Sequence, residues 1–392
     1  MSGTAGVVIV GAGIIGAACA HRLARAGVST VVVDRDEVGS GTTSRGEGNI
    51  LVSDKGPGPE LELALLSRER WLQLGEELGG DAFELDLKGG LVVADIEPAM
   101  HALERFADNQ AAAGVHVEAV TDPRECEPHL ADDLIGARYY PQDMQLQPVR
   151  AAAALLRAAR QHGADYRPYT EVVGPVLGSR GRLLGVRTAV GDVLEADAVI
   201  NAAGTWGGVV SERLGAPIPV LPRRGFVLVT EPVPPLVRHK VYSADYVDNV
   251  GSSEETLQTS CVVEWTRGGT ILIGASRERV GFDATLNPRT VARLARSATR
   301  MLPVLRDLSL LRVYRGFRPY CTDHLPVIGP DPRQPAVIHA CGHEGAGIGL
   351  ATGTAELVHD YVTGTGDLSR SFAEFLPDRF VEVAPAGERQ LA

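Results

Sequence analysis

Residues 7–34 read VVIVGAGIIGAACAHRLARAGVSTVVVD, and this stretch decides the fold. Val7-Val8-Ile9-Val10 is a short β-branched run without polar alternation, the pattern of a parallel strand buried on both faces. Gly11-Ala12-Gly13-Ile14-Ile15-Gly16 follows at once. Its glycines permit a tight turn (Gly11), close approach of the backbone to a pyrophosphate (Gly13) and close packing of helix on strand (Gly16). The small-residue run from Ile14 to Ala26 predicts a helix closed by Gly27, with its N-terminal amides and dipole facing phosphate. Ser29–Val33 predicts a second strand. It ends at Asp34, eighteen residues after Gly16, where a carboxylate can accept hydrogen bonds from a ribose diol. Strand, glycine turn, helix, strand and terminal acid together are what a dinucleotide site requires.

Working outward, residues 38–58 are rich in Gly, Ser and Thr, show no periodicity and are long for an idle connection. Within them, Thr42-Thr43-Ser44-Arg45-Gly46-Glu47-Gly48-Asn49 sets hydroxyls and amides in series, suited to a diphosphate and the polar rim of a ring system. A strand at Ala198–Asn201 runs into Ala202-Ala203-Gly204-Thr205-Trp206, where small residues allow a cofactor to approach the backbone; Gly204 and Trp206 are the candidates there. The far end repeats the opening pattern: a strand at Ala336–Ala340, the turn Gly342-His343-Glu344-Gly345-Ala346-Gly347, and a helix over Ile348–Val362. That helix start, with Ile348 and Gly349, offers a second positive dipole end.

The remaining elements frame these motifs. Helices are expected over Pro59–Gly79, near Ala99–Gly114, over 148–162 and over Pro288–Met301. Strands are expected at Gly90–Ala94, Ala137–Tyr140, Tyr169–Val173, Leu183–Val190, Val193–Ala196, Phe226–Thr230 and Thr270–Gly274. Because the strand–glycine-turn–helix signature stands at both ends, we expect an α/β (α+β) chain. A discontinuous Rossmann-like cofactor domain (1–83, 145–217 and 318–392) would carry an inserted mixed β-sheet substrate domain (84–144 and 218–317).

In Gly316-Phe317-Arg318-Pro319-Tyr320, Arg318 is a candidate bidentate clamp for a substrate carboxylate. Tyr140, Tyr242, Tyr246 and Tyr320 are candidates to line a pocket, though each alone is more often a packing residue than a functional one. His339, Cys341 and His343 alternate along the predicted strand and so share a face. That strand is apolar and no carboxylate completes a set before Glu344, so core packing is expected and no metal.

Hydrophobic residues make up 44% and charged residues 22%, the balance of a soluble globular protein. With 38 basic and 49 acidic residues the net charge is −11, which argues against nucleic acid or an anionic membrane as partner. No run of eighteen apolar residues predicts a transmembrane helix, and no basic stretch precedes Val7 as in a signal peptide. The five cysteines (Cys19, Cys126, Cys261, Cys321, Cys341) form no CxxC pair, which suits a reducing cytoplasm.

The segments VVIVGAGIIGAACA, VVVDRDEVGSGTTSRGEGN, VINAAGTW, ILIGASRERVGFD, GFRPYCTDHLPVIG and CGHEGAGIGLA stand in this order between Val7 and about Gly364. Together they resemble the D-amino-acid oxidase-like family of FAD enzymes, of the glycine oxidase, sarcosine oxidase and hydroxyproline dehydrogenase type. The resemblance implies FAD rather than NAD. It places adenine and ribose contacts at Asp34 and Arg35, with backbone help from Val172. Diphosphate and flavin contacts fall on Ile14, Ile15, Thr42, Thr43, Glu47, Gly48 and Asn49, a flavin loop on His343–Gly349, and the substrate carboxylate on Arg318. The position that carries a covalent flavin cysteine in sarcosine oxidases holds none here, Cys321 standing two residues before Asp323, so non-covalent FAD is expected. No lysine near Thr270–Ile273 matches the oxygen-activating lysine of monomeric sarcosine oxidases, which leaves oxidase and dehydrogenase both open.

The implied reaction is oxidation of the C–N bond of an amino acid, imino acid or related secondary amine. Hydride would pass from the α-carbon to flavin N5, giving an imine that hydrolyses. Tyr242 and Tyr246 would stand near the substrate. Two rival readings are a hydroxy-acid dehydrogenase with His343 as base, and a flavoprotein subunit that passes electrons to a partner. A homo-oligomer and a partner subunit are both compatible with the sequence.

Overall fold

Among strands buried on both faces, the apolar run at the start takes the central place. In a computed structural model that describes residues 5–245, 257–364, 366 and 368–381, β1 (Ala5–Val10) pairs in parallel with β2 (Thr30–Val33) on one side and β11 (Val193–Asn201) on the other. β8 (Asp165–Arg167) lies beyond β2, again parallel. Beyond β11 come parallel β18 (Gln334–Cys341) and antiparallel β17 (Val327–Asp331). The antiparallel strands β10 (Leu183–Thr188) and β9 (Val172–Leu177) branch from β11 and complete an eight-stranded sheet.

The second sheet also has eight strands. Their order is β16 (Leu310–Cys321), β12 (Val220–Thr230), β15 (Ile271–Arg277), β14 (Gln258–Trp265), β13 (Lys240–Ser243), β4 (Gly90–Ala94), β6 (Gly136–Tyr140) and β5 (Glu118–Val120). Neighbours are antiparallel except β13 and β4. A third, two-stranded sheet joins β3 (Asn49–Ile50) to β7 (Met144–Gln145). The architecture is therefore mixed α/β with two large mixed sheets, the second built from chain segments that interrupt the first.

Among the described residues the main helices are α1 (Ile14–Arg25), α2 (Pro59–Leu78), α3 (Glu97–Ala112), α4 (Pro123–Cys126), α5 (Pro148–Gln161), α6 (Gly207–Arg213), α7 (Pro288–Met301) and α8 (Gly347–Thr363). α1 lies between α5 and α8, which is why ten of its residues are buried and why so many are Gly or Ala. α2 packs on α8 through Ser67 and Trp71. The Ser67 hydroxyl donates to the Gly349 carbonyl at 2.5 Å and the Trp71 indole to that of Ile348 at 3.0 Å, fixing the first turn of α8.

Some expectations need correction. The strand expected over Tyr169–Val173 starts only at Val172, because Tyr169 has φ 55° and stands in an exposed turn. Leu183–Val190 ends at Thr188, with Val190 in the following turn. The strands expected at Val193–Ala196 and Ala198–Asn201 are one, β11, whose start pairs with β10 and whose end joins the parallel ladder. His343 does not continue the alternation of His339 and Cys341. β18 stops at Cys341 and Gly342, at φ 80°, turns the chain away.

Candidate active site

Ligands of open α/β sheets gather outside the carboxyl ends of strands beside a topological switch point. Here the ends of β1, β2, β11 and β18 meet the face of the second sheet around a cleft with about 1630 Å³ of empty space, open to solvent. Its wall at β1 can be made only from glycine. A Cβ on Gly16 would stand 1.9 Å from the Gly11 carbonyl oxygen, and one on Gly11 would stand 2.4 Å from that of Ala202. The N-terminus of α1 consequently opens directly into the cleft. Thr43, on a 3₁₀ turn over Thr42–Arg45, accepts a hydrogen bond from the Ile14 amide at 3.0 Å. The next amides of α1 have no partner within the helix and suit phosphate oxygens.

Asp34 closes this end. One carboxylate oxygen accepts from the Ala12 amide at 2.7 Å and the other from the Asp36 amide at 2.9 Å. Burial raises its pKa above the usual carboxylate range, and the two amides oppose that rise. Arg35 lies over the Trp206 ring at 4.2 Å, and Trp206 stacks on Phe282 at 5.5 Å. Val172 also lines the cleft. Its carbonyl accepts from Arg213 at 2.9 Å.

The floor of the cleft is the second sheet, and it has three notches. Gly316 on β16, Gly225 on β12 and Gly274 on β15 each make room for a charged residue. A Cβ on Gly316 would meet the Arg45 Cβ at 2.4 Å, one on Gly225 the Arg318 Nη1 at 2.3 Å, and one on Gly274 the Glu47 Oε1 at 2.5 Å. Gly316 and Gly225 are register partners, and Phe226 and Ser276 bond across the next pair of strands. Arg318 donates to the Ser276 carbonyl at 2.8 Å, which fixes its guanidinium at the floor.

The opposite wall is the turn between β18 and α8. Glu344, at φ 46°, sends its carboxylate to the Arg223 guanidinium, which also donates to Gln258 at 2.8 Å. His324 Nδ1 lies 3.0 Å from the other oxygen. Burial opposes the charge of Glu344, yet His324 and Arg223 hold its pKa below the usual value. His343 is buried, with Nε2 2.9 Å from the Thr354 hydroxyl, and burial lowers its pKa to about 3. His339 does no work in the cleft: its ring nitrogens face Asn201 at 3.3 Å and Asp331 at 3.2 Å in the core.

Most residues singled out from sequence line the cleft: Gly11, Gly13, Ile14, Ile15, Asp34 and Arg35 at one end, and Thr42, Thr43, Arg45, Glu47 and Asn49 along one side. Gly204, Trp206, Arg318, His343, Glu344, Gly345, Gly347 and Ile348 complete it. Others support it from behind. Ser44 donates back to the Ser40 and Gly41 carbonyls, tightening its own turn. Gly48 is pressed against Leu146, whose carbonyl oxygen would lie 1.6 Å from an added Cβ. Gly16, Gly342, Ala346 and Gly349 shape the turns without lining the cleft. Tyr242 is displaced from its expected place beside the substrate. It is fully buried in the core and its hydroxyl donates to Ser53, because β13 lies four strands from the sheet edge at β16. Tyr246 lies outside the described residues.

Sequence reasoning missed Arg223, Phe282 and a buried group beneath Asn49. There Lys240 donates to Asn49 and, at 2.6 Å, to Glu264. Lys240 and Glu264 have side-chain exposures of 1% and 0%. No strand was expected over β13 or β14; a lysine and a glutamate set among apolar residues there are the signal that could have found the pair.

A glycine-cradled helix start, an acid at the end of β2 and a charged sheet floor around one cleft are the features of a dinucleotide-dependent oxidoreductase. The chain belongs to the DAO family, FAD dependent oxidoreductases, which matches residues 6–361, and it is FAD-dependent. It is 30% identical to the hydrogen cyanide synthase subunit HcnC of Pseudomonas aeruginosa, over 97% of each chain. It is 31% identical to glycine oxidase of Geobacillus kaustophilus, over 91% of this chain and 92% of the relative. A solved glycine oxidase structure from Geobacillus kaustophilus superposes with a TM-score of 0.84 at 29% identity, covering 95% of this chain and 98% of that one. L-proline dehydrogenase from P. horikoshii shares the fold, with a TM-score of 0.86 at 24% identity over 97% and 98% of the two chains. Among the described residues no helix is long and apolar enough to cross a membrane.

Proposed function

We propose that this protein oxidises the C–N bond of a small amino or imino acid, or a related secondary amine carrying a carboxylate. The observation that carries the reading is Arg318, anchored to the Ser276 carbonyl at the floor of the cofactor cleft and flanked by the flavin-side turn at Gly345. A guanidinium in that position is the group suited to pair with a carboxylate. In this reading residues 1–83, 145–217 and 318–392 carry the cofactor, and 84–144 and 218–317 shape the substrate side. Bound FAD supplies the two-electron acceptor. The residues of the chain position the substrate and exclude water, and positioning provides much of the rate.

Non-covalent binding of FAD is supported by the thiols. Cys321 is buried away from the cleft, and burial pushes its pKa up to about 12. Cys341 does line the cleft, and burial raises its pKa as well, so it stays a thiol. A hydroxy-acid substrate would need a base for its hydroxyl proton. His343 is poorly placed for this, being engaged with Thr354 and with a pKa of about 3. HcnC is named as a subunit of hydrogen cyanide synthase, and transfer of electrons to a partner subunit remains part of this proposal.

The test is anaerobic bleaching of the purified yellow protein by glycine, sarcosine, D- and L-proline and other D- and L-amino acids, each beside its 2-hydroxy counterpart. Bleaching by amines alone is expected, and bleaching by hydroxy acids alone overturns the reading. Admitting air afterwards separates an oxidase from a chain that needs a partner acceptor.

A further inference from the structure

We propose that Glu47 is the amine-recognition group of this site: its carboxylate receives the substrate's ammonium while Arg318 holds the carboxylate. The inference deepens the proposed function and rests on that reading. The sequence places Glu47 in a glycine-rich segment where the resemblance implies contact with the cofactor. In the structure its side chain also reaches the second sheet.

Glu47 lines the cleft with its side chain turned down onto the sheet, where its Oε1 occupies the notch left by Gly274. The residue is only 8% exposed, and Oε1 has no hydrogen-bond partner. Its other oxygen has a long contact, 3.4 Å, from the Asn49 amide. A buried carboxylate oxygen without a donor costs free energy unless something supplies one. The nearby lysine is committed elsewhere, since Lys240 donates to Asn49 and to Glu264. Glu264 also has Lys88 nearby, and Glu47 has Lys240 and Arg318 in its neighbourhood, neither with a direct hydrogen bond to its Oε1. Glu264 takes the direct ion pair, and Glu47, the one that reaches the cleft, is left to attract a cation from it.

Arg318 is held at Ser276 and Glu47 over Gly274, both on β15. The floor therefore presents a cation and an anion side by side, complementary to the carboxylate and ammonium of an α-amino acid. Opposite charges at the two ends also fix which way round the substrate lies, and so which carbon faces the cofactor. A 2-hydroxy acid can use Arg318 but brings no positive charge to Glu47, so the pair selects amines over hydroxy acids. Burial raises the pKa of Glu47, Lys240 opposes the rise, Glu264 adds to it, and Arg318 and the Asn49 amide oppose it further. An arriving ammonium favours the ionised form.

The experiment compares the holoenzyme with Glu47→Gln and Glu47→Asp, each checked first for FAD content. Glycine, sarcosine and L- and D-proline serve as amines, and acetate and propionate as carboxylates without one. Binding is read as the ligand-induced shift in melting temperature and as the perturbation of the flavin spectrum. Glu47→Gln is expected to weaken the amines about thirtyfold, the scale of one charge-assisted hydrogen bond. Acetate and propionate should change less than about threefold, and Glu47→Asp should recover part of the loss. Equal weakening of amines and simple carboxylates, or none of either, overturns the proposal. So does loss of FAD from both variants with unchanged amine affinity in the fraction that retains it, which would make Glu47 a cofactor contact. If the wild type binds acetate but no amine, the amine reading of the function falls together with Glu47. If amines bleach the wild type and Glu47→Gln alike, only the Glu47 assignment falls.

Discussion

Thr42 and Thr205, 163 residues apart in the chain, bring their hydroxyl oxygens to 2.9 Å and both donate to the carbonyl of Phe317, at 2.9 and 2.6 Å. One backbone oxygen on β16 thus gathers the 3₁₀ turn beside α1, the turn after β11 and the strand that carries Arg318. Either hydroxyl alone keeps that carbonyl satisfied. Thr42→Val or Thr205→Val should each cost about 1 kcal/mol, while the double variant should cost more than the sum because a part-buried carbonyl loses both donors. Urea unfolding of the four proteins checks this, and strict additivity would show that the carbonyl finds water instead.

The glycine turn makes a graded prediction. Gly16→Ala places a Cβ 1.9 Å from the Gly11 carbonyl oxygen, whereas Gly13→Ala meets only the Thr43 hydroxyl at 3.2 Å. Gly16→Ala should purify colourless or misfolded, and Gly13→Ala should fold and bind FAD more weakly. Absorbance near about 450 nm per protein, with the melting temperature, separates the two. A fully yellow Gly16→Ala protein would contradict the packing described.

Replacing Arg318 by Ala should raise KM for carboxylate substrates about 10- to 100-fold, the scale of hydrogen bonds to a charged group. FAD content should stay near one per chain. Steady-state kinetics with any amine that bleaches the flavin tests it, and an unchanged KM removes the clamp assignment.

Arg223 and Glu344 join the floor to the cofactor-side turn, with side-chain exposures of 1% and 10%. Breaking a buried pair from one side leaves the other charge under-compensated, here with His324 alone facing the Glu344 carboxylate. Arg223→Met should therefore destabilise by about 3–5 kcal/mol. The double change Arg223→Met with Glu344→Leu should recover a good part of this. Denaturant melts of the three proteins decide it, and a double variant worse than Arg223→Met alone would mean that the turn needs the charge itself.

His343 gives a pH dependence with a definite sign. Its folded pKa is lowered to about 3 by burial, while an unfolded histidine titrates near about 6.5. Below that value the unfolded chain takes up a proton that the folded chain refuses, so stability falls as pH drops. The contribution is complete above about pH 6.5 and is progressively lost toward about pH 3. His21, lowered to about 4 mainly by burial, acts in the same direction. Melting temperatures from about pH 7 to pH 4 should fall less steeply in His343→Gln than in the wild type. Parallel curves would show that the ring is not held neutral.

What the sequence by itself determined is the end of the cleft built by β1, α1 and β2. The spacing of Gly11, Gly13 and Gly16, the apolar runs of β1 and β2 and the acid at Asp34 all lie within thirty residues. They act through backbone geometry and the burial of neighbouring residues, which are local matters. The same holds for the turn at Gly342–Gly347 and its helix. Tertiary structure alone decided the substrate side. Which charge meets which depends on the register of antiparallel strands far apart in the chain. Lys240 meets Asn49 across 191 residues, and Arg223 meets Glu344 across 121. Gly225, Gly274 and Gly316 look like any strand glycines in the sequence. Only the paired sheet shows that the Cβ each one lacks leaves space for Arg318, Glu47 and Arg45. Tyr242 shows the converse: a residue read as facing substrate is in the core, because its strand lies several places from the edge at β16 that borders the cleft.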